Sequence, residues 1–393
     1  MLDSIRYGIL LIMVLSVNNP FKYGEVVSGD SFAGRRQEIQ EITRDIINGH
    51  DLVVLAPRRY GKTSLLDSVL DSDILSESII IQADFMRAPN KEKLAEQLAL
   101  SLRDNQDKFL GGMQKVLSKL GCLRVTPQFS FNEEGKFSVS FSFFSKSNSE
   151  VYTCFEELLE LPVQLAQEKQ KNVIFVFDEF QEILEIDPTL IKIMRSVFQN
   201  QSNVAHVYLG SKQHVIAEIF TNKNAPFWKS AKIMEIGRID KTDFALFIKH
   251  QFTQTGISVN KKIVEIILSI TQSHPYATQE LCYFLWDETL LSGECREEMI
   301  GIALRKLLIA NNIYFTRVWD KLSVQQRQVL QALSEEPGSP LRNEYRARHG
   351  LPGKPSVQVA LRKLENEELV ERTGQGKWRV SEPFLMEWLL IDR

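Results

Sequence analysis

The stretch VVLAPRRYGKTSLLDSV, residues 53 to 69, contains the residue types that grip a phosphate. In the pattern G-x-x-x-x-G-K-[ST], Gly61 lets the backbone approach an anion closely. Lys62 places a point charge on the outer phosphates, and Thr63 offers a hydroxyl to Mg²⁺. Backbone N–H groups supply the cradle, at a helix N-terminus whose partial positive charge favours an anion. A lone G-K-[ST] arises by chance in roughly one chain of this length in five, so the assignment must rest on context. One departure stands out. Ala56 occupies the place of the first glycine, and Pro57 follows it. Only a positive φ would demand glycine there, so an extended alanine is tolerated. Pro57 has no N–H, and the cradle must therefore come from Arg58 onward. The stretch Ala56, Pro57, Arg58, Arg59, Tyr60, Gly61, Lys62, Thr63 and Ser64 is the candidate phosphate loop.

A second constellation is NVIFVFDEF, an apolar run ending on Asp178-Glu179. At the C-terminal end of a buried strand, Asp178 is placed to position Mg²⁺ and Glu179 to polarise an attacking water. Alone, such a pair is as often a surface turn. Beside a phosphate loop on a neighbouring strand it gains weight. Ser211 and Lys212 end a further strand, facing the same crevice as γ-phosphate sensors or forming an ordinary capped turn.

These groups need a scaffold, and the hydrophobic periodicity provides one. Short β-branched runs at 51–56, 78–83, 172–177, 204–209 and 232–236 read as strands. Helical patterns at 63–75, 91–105 and 189–201 lie between them. Near-continuous apolar strands alternating with helices indicate an α/β fold, a parallel sheet covered on both faces. One segment breaks the rhythm. In QFSFNEEGKFSVSFSFF, aromatic and polar residues alternate around Asn132 to Lys136, which predicts an inserted β-hairpin at about 125–145. Its apolar face packs on its own domain or serves a partner. Beyond Gly237 the pattern is helical over 240–255, 261–271, 277–291 and 296–310. From Ser323, helices at 323–334, 340–349 and 356–368 precede short strands at 369–372 and 377–380, a winged helix-turn-helix order.

The 393 residues carry a formal net charge of −3, which argues against a global field for nucleic acid or membrane. Cys122, Cys154, Cys282 and Cys295 form no C-x-x-C pair, so a reducing cytosol fits better than a disulfide framework or a zinc site. The apolar run Ile9 to Leu15, behind Arg6, is too short for a bilayer, which needs about 20 residues. No A-x-A-like cleavage site follows it. Met13 as the true start, or a short buried element, explains this run better than secretion.

Six motifs in order carry a family resemblance: NPFKYGEVV (19–27), FAGRRQEI (32–39), APRRYGKTSLL (56–66), FDEFQEI (177–183), GSKQHV (210–215) and SHPYATQEL (273–281). Together they resemble the archaeal-type P-loop ATPases, of the STAND group within the AAA+ lineage, near the origin-recognition ATPases. The resemblance implies ATP and Mg²⁺ as ligands, with residues Phe32 to Arg35, Gly34 among them, on the adenine side. Pro275 would match the lid proline near the base, although His274 departs from the usual glycine neighbourhood. His274-Pro275 as a plain helix start is the structural alternative. Ring-forming members place a trans-acting arginine between the fourth strand and the lid, whereas Ser196 to Gly237 contains no arginine. Arg58 and Arg59 supply charge in cis or serve as salt-bridged scaffolding.

The expected organisation is an N-terminal extension (1–18), a P-loop ATPase domain (19–238), a helical lid (239–312) and a winged helix (313–393). The expected function is a slow, cytoplasmic ATPase that acts as a conformational switch toward a protein partner. The alternative is a DNA-associated ATPase, reading duplex DNA through residues 342–379. Residues 323–393 hold 11 Lys+Arg against 10 Asp+Glu, about +1, and Glu365, Glu367 and Glu368 sit beside Arg362 and Lys363. That balance favours a protein-binding module. A P-loop scaffold without catalysis is the third reading, opposed by intact Lys62, Thr63, Asp178 and Glu179.

Overall fold

The computed structural model describes residues 18–104, 126–131, 137–142, 148–373 and 376–391. The run Ile9–Leu15, Cys122, the hairpin turn Asn132 to Lys136 and the wing tip Gly374-Gln375 lie outside the described residues, as do the side chains of the hairpin strands. The chain forms two compact units. A sheet unit holds Arg36–Pro57 and Leu65–Ile236. A helical unit holds the described residues up to Arg35, the segment Arg58–Ser64, and everything from Gly237.

In the sheet unit, β1 (Leu52–Leu55), β2 (Ile79–Asp84), β5 (Val173–Asp178), β6 (Val204–Gly210) and β7 (Lys232–Glu235) form one sheet in the order β2-β5-β6-β1-β7. Every pairing in it is parallel. The residues of β1 and β6 are all buried, as are the first five of β5, because helices cover both faces. Phe175, Phe177, Phe180, Tyr208, Phe220 and Phe227 fill one core. Burial of such side chains contributes about 1.5–3 kcal/mol each, far above the differences in strand propensity. Register aligns the strand ends: Phe177 lies opposite Tyr208, and Leu55 opposite Gly210. Asp178 and the Gly210-Ser211 step therefore share the C-terminal edge of the sheet. The hairpin forms as β3 (Thr126–Phe131) and β4 (Phe137–Ser142), antiparallel with Phe129 opposite Val139.

In the helical unit, helices Lys241–Gln254, Lys261–Ile270 and Pro275–Thr289 form the lid. Helices Val324–Glu335, Asn343–Arg348 and Lys354–Asn366 with β8 (Val370–Arg372) and β9 (Trp378–Val380) form the winged helix. One continuous core runs from Phe21 through Phe252, Leu281 and Phe315 to Leu389.

Several expectations shift. The helix placed at 63–75 spans Lys62–Leu70, and Asp73–Leu75 forms a separate 3-10 turn after Asp71-Ser72, residues that favour turns. The helix at 189–201 stops at Phe198, where the N–H groups of Gln199, Asn200 and Gln201 turn back onto the last carbonyls. The helix at 340–349 shrinks to Asn343–Arg348, since Arg342 is extended. The helix at 296–310 runs on to Lys321 because apolar positions continue through Leu307, Leu308 and Phe315, with neither Gly nor Pro to stop it. Helices Arg36–Ile47, Asn148–Lys169, Gln213–Thr221 and Pro383–Ile391 escape the sequence pattern.

Candidate functional site

The sheet unit carries one group of candidate residues. Glu179, just past β5, adopts a left-handed conformation (φ 49°, ψ 45°), uncommon for a residue with a side chain. Its Oε2 accepts from Ser211 Oγ at 2.9 Å and from Gln181 Nε2 at 2.5 Å. Two donors from two elements therefore fix this carboxylate, and Ser211 and Gln181 are themselves buried. Strain of this kind persists only where the surroundings over-determine it, and it is a pointer to function. Gly210 makes room for the arrangement: a side-chain carbon there would collide with Ile216 and with the Gln181 amide oxygen.

Asp178 accepts from the N–H of Glu179 at 2.8 Å. The Asp67 carboxyl has its pKa raised by burial, by Asp71 and by Asp178. Asp71 and Asp178 therefore both contribute negative charge near Asp67. The described residues contain no ready-made cluster of three or more metal-ligating side chains. Lys212 pairs with Glu182 at 3.1 Å and begins the helix Gln213–Thr221 without a side-chain cap.

Of the candidate phosphate loop, Ala56 and Pro57 belong to the sheet unit and Arg58–Ser64 to the helical unit. Positive φ between residues 56 and 64 is confined to Arg59 (66°) and Gly61 (77°), so Ala56 meets the condition under which alanine replaces glycine. The space around Gly61 is open: apart from its chain neighbours, a methyl group at its Cα would meet no heavy atom within 4 Å. Lys62 opens the helix Lys62–Leu70, and Thr63 follows within its first turn. Ser64 turns elsewhere, its Oγ accepting from the Val27 N–H at 3.0 Å.

Arg35, expected on the adenine side, is buried. Its Nη2 donates to the carbonyls of Tyr60 (3.0 Å) and Gly237 (2.7 Å), so it fixes the loop backbone. Phe32 is half-buried after the 3-10 turn Gly29–Ser31. Gly34 has φ 62° and sits close against Ile239 and Asp243. Pro275 takes the first position of its helix, and His274 Nδ1 caps it by accepting from the Ala277 N–H at 3.3 Å. Burial, and then Arg238, Arg59 and Arg379, push the His274 pKa well below its ordinary value, so the ring is neutral and able to accept.

Sequence reasoning missed the groups that surround the loop's side chains. Arg58 pairs with Glu368 (3.6 Å), Arg59 with Glu382 (3.3 Å), and Tyr60 Oη donates to Glu371 (2.7 Å). The Arg59 guanidinium lies 4.7 Å over the Tyr276 ring, and Glu371 also receives Arg238 and Arg379. All three glutamates belong to the winged helix. By position in the sequence, Glu368 groups with Glu365 as charge on the recognition helix. Instead Glu368 faces Arg58, and Glu365 faces Arg372 at 3.8 Å. No local pattern marks the partners of Arg58, Arg59 and Tyr60, because more than 300 residues separate each pair.

Comparison with known proteins agrees with this architecture. A family profile described as an ATPase domain predominantly from Archaea matches residues 32–281, and one described as a probable winged helix domain matches residues 313–391. No curated protein matches the chain. Among solved structures, the Walker-type ATPase of Pyrococcus abyssi is similar at a TM-score of 0.62 and 18% identity, over 95% of this chain and 100% of that one. The Aeropyrum pernix ORC2 protein is similar at a TM-score of 0.55 and 13% identity, over 94% of this chain and 97% of that one. These likenesses concern the fold. With its profile covering well over half the sequence, the chain belongs to the family of ATPase domains found predominantly in Archaea.

Proposed function

We propose that the protein is a slow, Mg²⁺-dependent ATPase of the cytosol that acts as a nucleotide-controlled conformational switch, of the STAND kind within the AAA+ lineage. The observation that carries the catalytic part is the Glu179 carboxylate, held by Ser211 and Gln181 at the C-terminal edge of a parallel sheet, next to Asp178. In this reading Lys62 would steady the outer phosphates, and Thr63 and Asp178 are the residues that would hold Mg²⁺, which would neutralise charge developing on the phosphoryl oxygens. Glu179 orients the attacking water and draws its proton, with Ser211 keeping the carboxylate in position. Lys212 is a γ-phosphate sensor whose present partner is Glu182. The contacts between phosphate loop and winged helix support the switch. Cys154, Cys282 and Cys295 are free thiols in buried positions, as a reducing compartment permits.

The test is ATP turnover by the full chain with Mg²⁺, beside Glu179→Gln. A slow rate that falls about 10²–10⁴-fold in the variant, with nucleotide affinity retained, is expected of a lost general base. Equal rates in the two proteins would remove Glu179 from catalysis. No binding and no turnover would leave a P-loop scaffold.

One observation favours a second reading, a DNA-associated ATPase. Lys354, Gln358, Arg362 and Asn366 recur every fourth residue along the helix Lys354–Asn366, and all four are exposed. Such a stripe presents donors suited to base edges and phosphates. The solved ORC2 neighbour is named for the origin-recognition proteins. Turnover that rises several-fold with duplex DNA, and loses that response in Arg362→Gln/Lys363→Gln, would put this reading first. Indifference to DNA would point to a protein partner.

A further inference from the structure

Three consecutive residues of the phosphate loop each meet a carboxylate of the winged helix: Arg58 with Glu368, Arg59 with Glu382 and Tyr60 with Glu371. This is an unusual use of a loop whose neighbours, Gly61 to Thr63, are built for anions. The positions are fixed on both sides. Arg59 sits in a left-handed conformation (φ 66°), between the rings of Tyr276 and Tyr314. Glu368 is likewise left-handed (φ 58°), where the helix Lys354–Asn366 has ended and the chain turns toward β8. Glu371 is anchored by Arg238 (2.8 Å) and Arg379 (2.7 Å), and Glu382 immediately precedes the last helix, Pro383–Ile391. Four cations, Arg58, Arg59, Arg238 and Arg379, thus face three carboxylates, Glu368, Glu371 and Glu382. A bound triphosphate would add anionic charge beside this cluster.

We propose that the winged helix is an internal anionic ligand of the phosphate loop. Glu368 and Glu382 hold Arg58 and Arg59 in the absence of nucleotide, and triphosphate draws these arginines away, so nucleotide binding and winged-helix docking oppose each other. The inference rests on the ATP-binding reading above and names how that site is regulated. Arg58 and Arg59 are about half-exposed, so their two ion pairs are individually weak, whereas Tyr60, bound to Glu371, is buried; the effect depends on the three contacts acting together. Linkage makes the coupling reciprocal: a partner that lifts the winged helix off the loop raises nucleotide affinity by the same factor.

The experiment compares the full-length wild type with Glu368→Gln/Glu382→Gln, isosteric changes that keep the packing. Affinity for MgATP is measured by calorimetry, and amide hydrogen exchange of residues 324–391 is followed with and without MgATP. Glu367→Gln, an exposed neighbour outside the clamp, serves as control. The double variant is expected to bind about 5–50-fold tighter, within the usual range of allosteric coupling. Its winged-helix amides should exchange faster before nucleotide is added, whereas the wild type should reach that rate only with MgATP. A wild type that does not bind beside a variant that does would also uphold the clamp, as a tighter lock. Equal affinities in two folded proteins would overturn the clamp and leave the ATPase reading intact. If neither protein binds, the ATPase reading falls and the clamp falls with it.

Discussion

The acidic group of candidate residues and the phosphate-loop group are built in different ways. The acidic group draws Asp178, Glu179, Gln181 and Ser211 from the ends of adjacent strands, within about thirty residues of one another along the chain. Its supports are short side chains seated on a parallel sheet with an aromatic core. The phosphate-loop group is held by residues remote in sequence: Arg35 on its backbone, and Glu368, Glu371 and Glu382 on its side chains. The first group is fixed by the strand register itself. The second depends on how the C-terminal region is docked. The acidic group is therefore ordered by local contacts, and the loop by contacts with segments remote in sequence.

Two substitutions test that contrast, and a third tests the pH dependence. Arg35→Ala has the largest expected effect, because it removes a buried guanidinium and strands the two carbonyls that it satisfies. We expect a loss of about 2–4 kcal/mol in chemical denaturation and weaker nucleotide binding. If stability falls and binding does not, the loop backbone needs no remote brace, and the contrast weakens. Gly210→Ala attacks the acidic group. Its methyl group would collide with Ile216 and Gln181, costing about 1–3 kcal/mol, and would push Gln181 off Glu179. The turnover number should drop more than nucleotide affinity; an equal fall in both would mean that the two groups are not separable.

The smallest effect concerns pH. Glu280, on the lid helix Pro275–Thr289, is buried and accepts from Asn311 Nδ2 at 2.9 Å. Its pKa is pushed up to about 7, first by burial and then by Glu382, against the opposing effects of Asn311 and Arg59. A carboxyl raised in the folded state contributes stability that is full below its unfolded value, near 4.5, and is lost as pH rises through 7. Between pH 5 and 8 the wild type should therefore lose about 1–3 kcal/mol relative to Glu280→Gln, measured as the difference in unfolding free energy. Parallel pH profiles for the two proteins would show that Glu280 stays ionised.

Much of the fold is legible in the sequence because its signals are local. The runs LVVL and VIFVF announce buried strands, and the G-K-T and D-E motifs sit where such strands end. The helix Arg36–Ile47 escaped because its first turn is crowded with charge, and Asn148–Lys169 because Pro162 interrupts its pattern. In the site, Asp178 and Glu179 could be named from one segment. Gln181 could have been suspected, two residues beyond Glu179, but its role depends on the space left by Gly210. The winged-helix glutamates could not be found this way. A charge on a surface helix looks the same whether it faces water or an arginine at the other end of the chain.

The 25-residue helix Glu297–Lys321 bears on where the protein can be divided. At 1.5 Å per residue it is roughly 37 Å long, and it crosses positions 312 and 313, where lid and winged helix would otherwise be parted. A cut there splits a single helix, leaving Leu307 and Leu308 on one fragment and Phe315 on the other, all drawn from one core. Asn312 would be severed from the fragment that carries Trp388, whose indole donates to it. Natural variation should respect the same indivisibility. Insertions belong before Glu297 or after Lys321, and recombination that exchanges winged helices between relatives must carry this helix along or replace it whole.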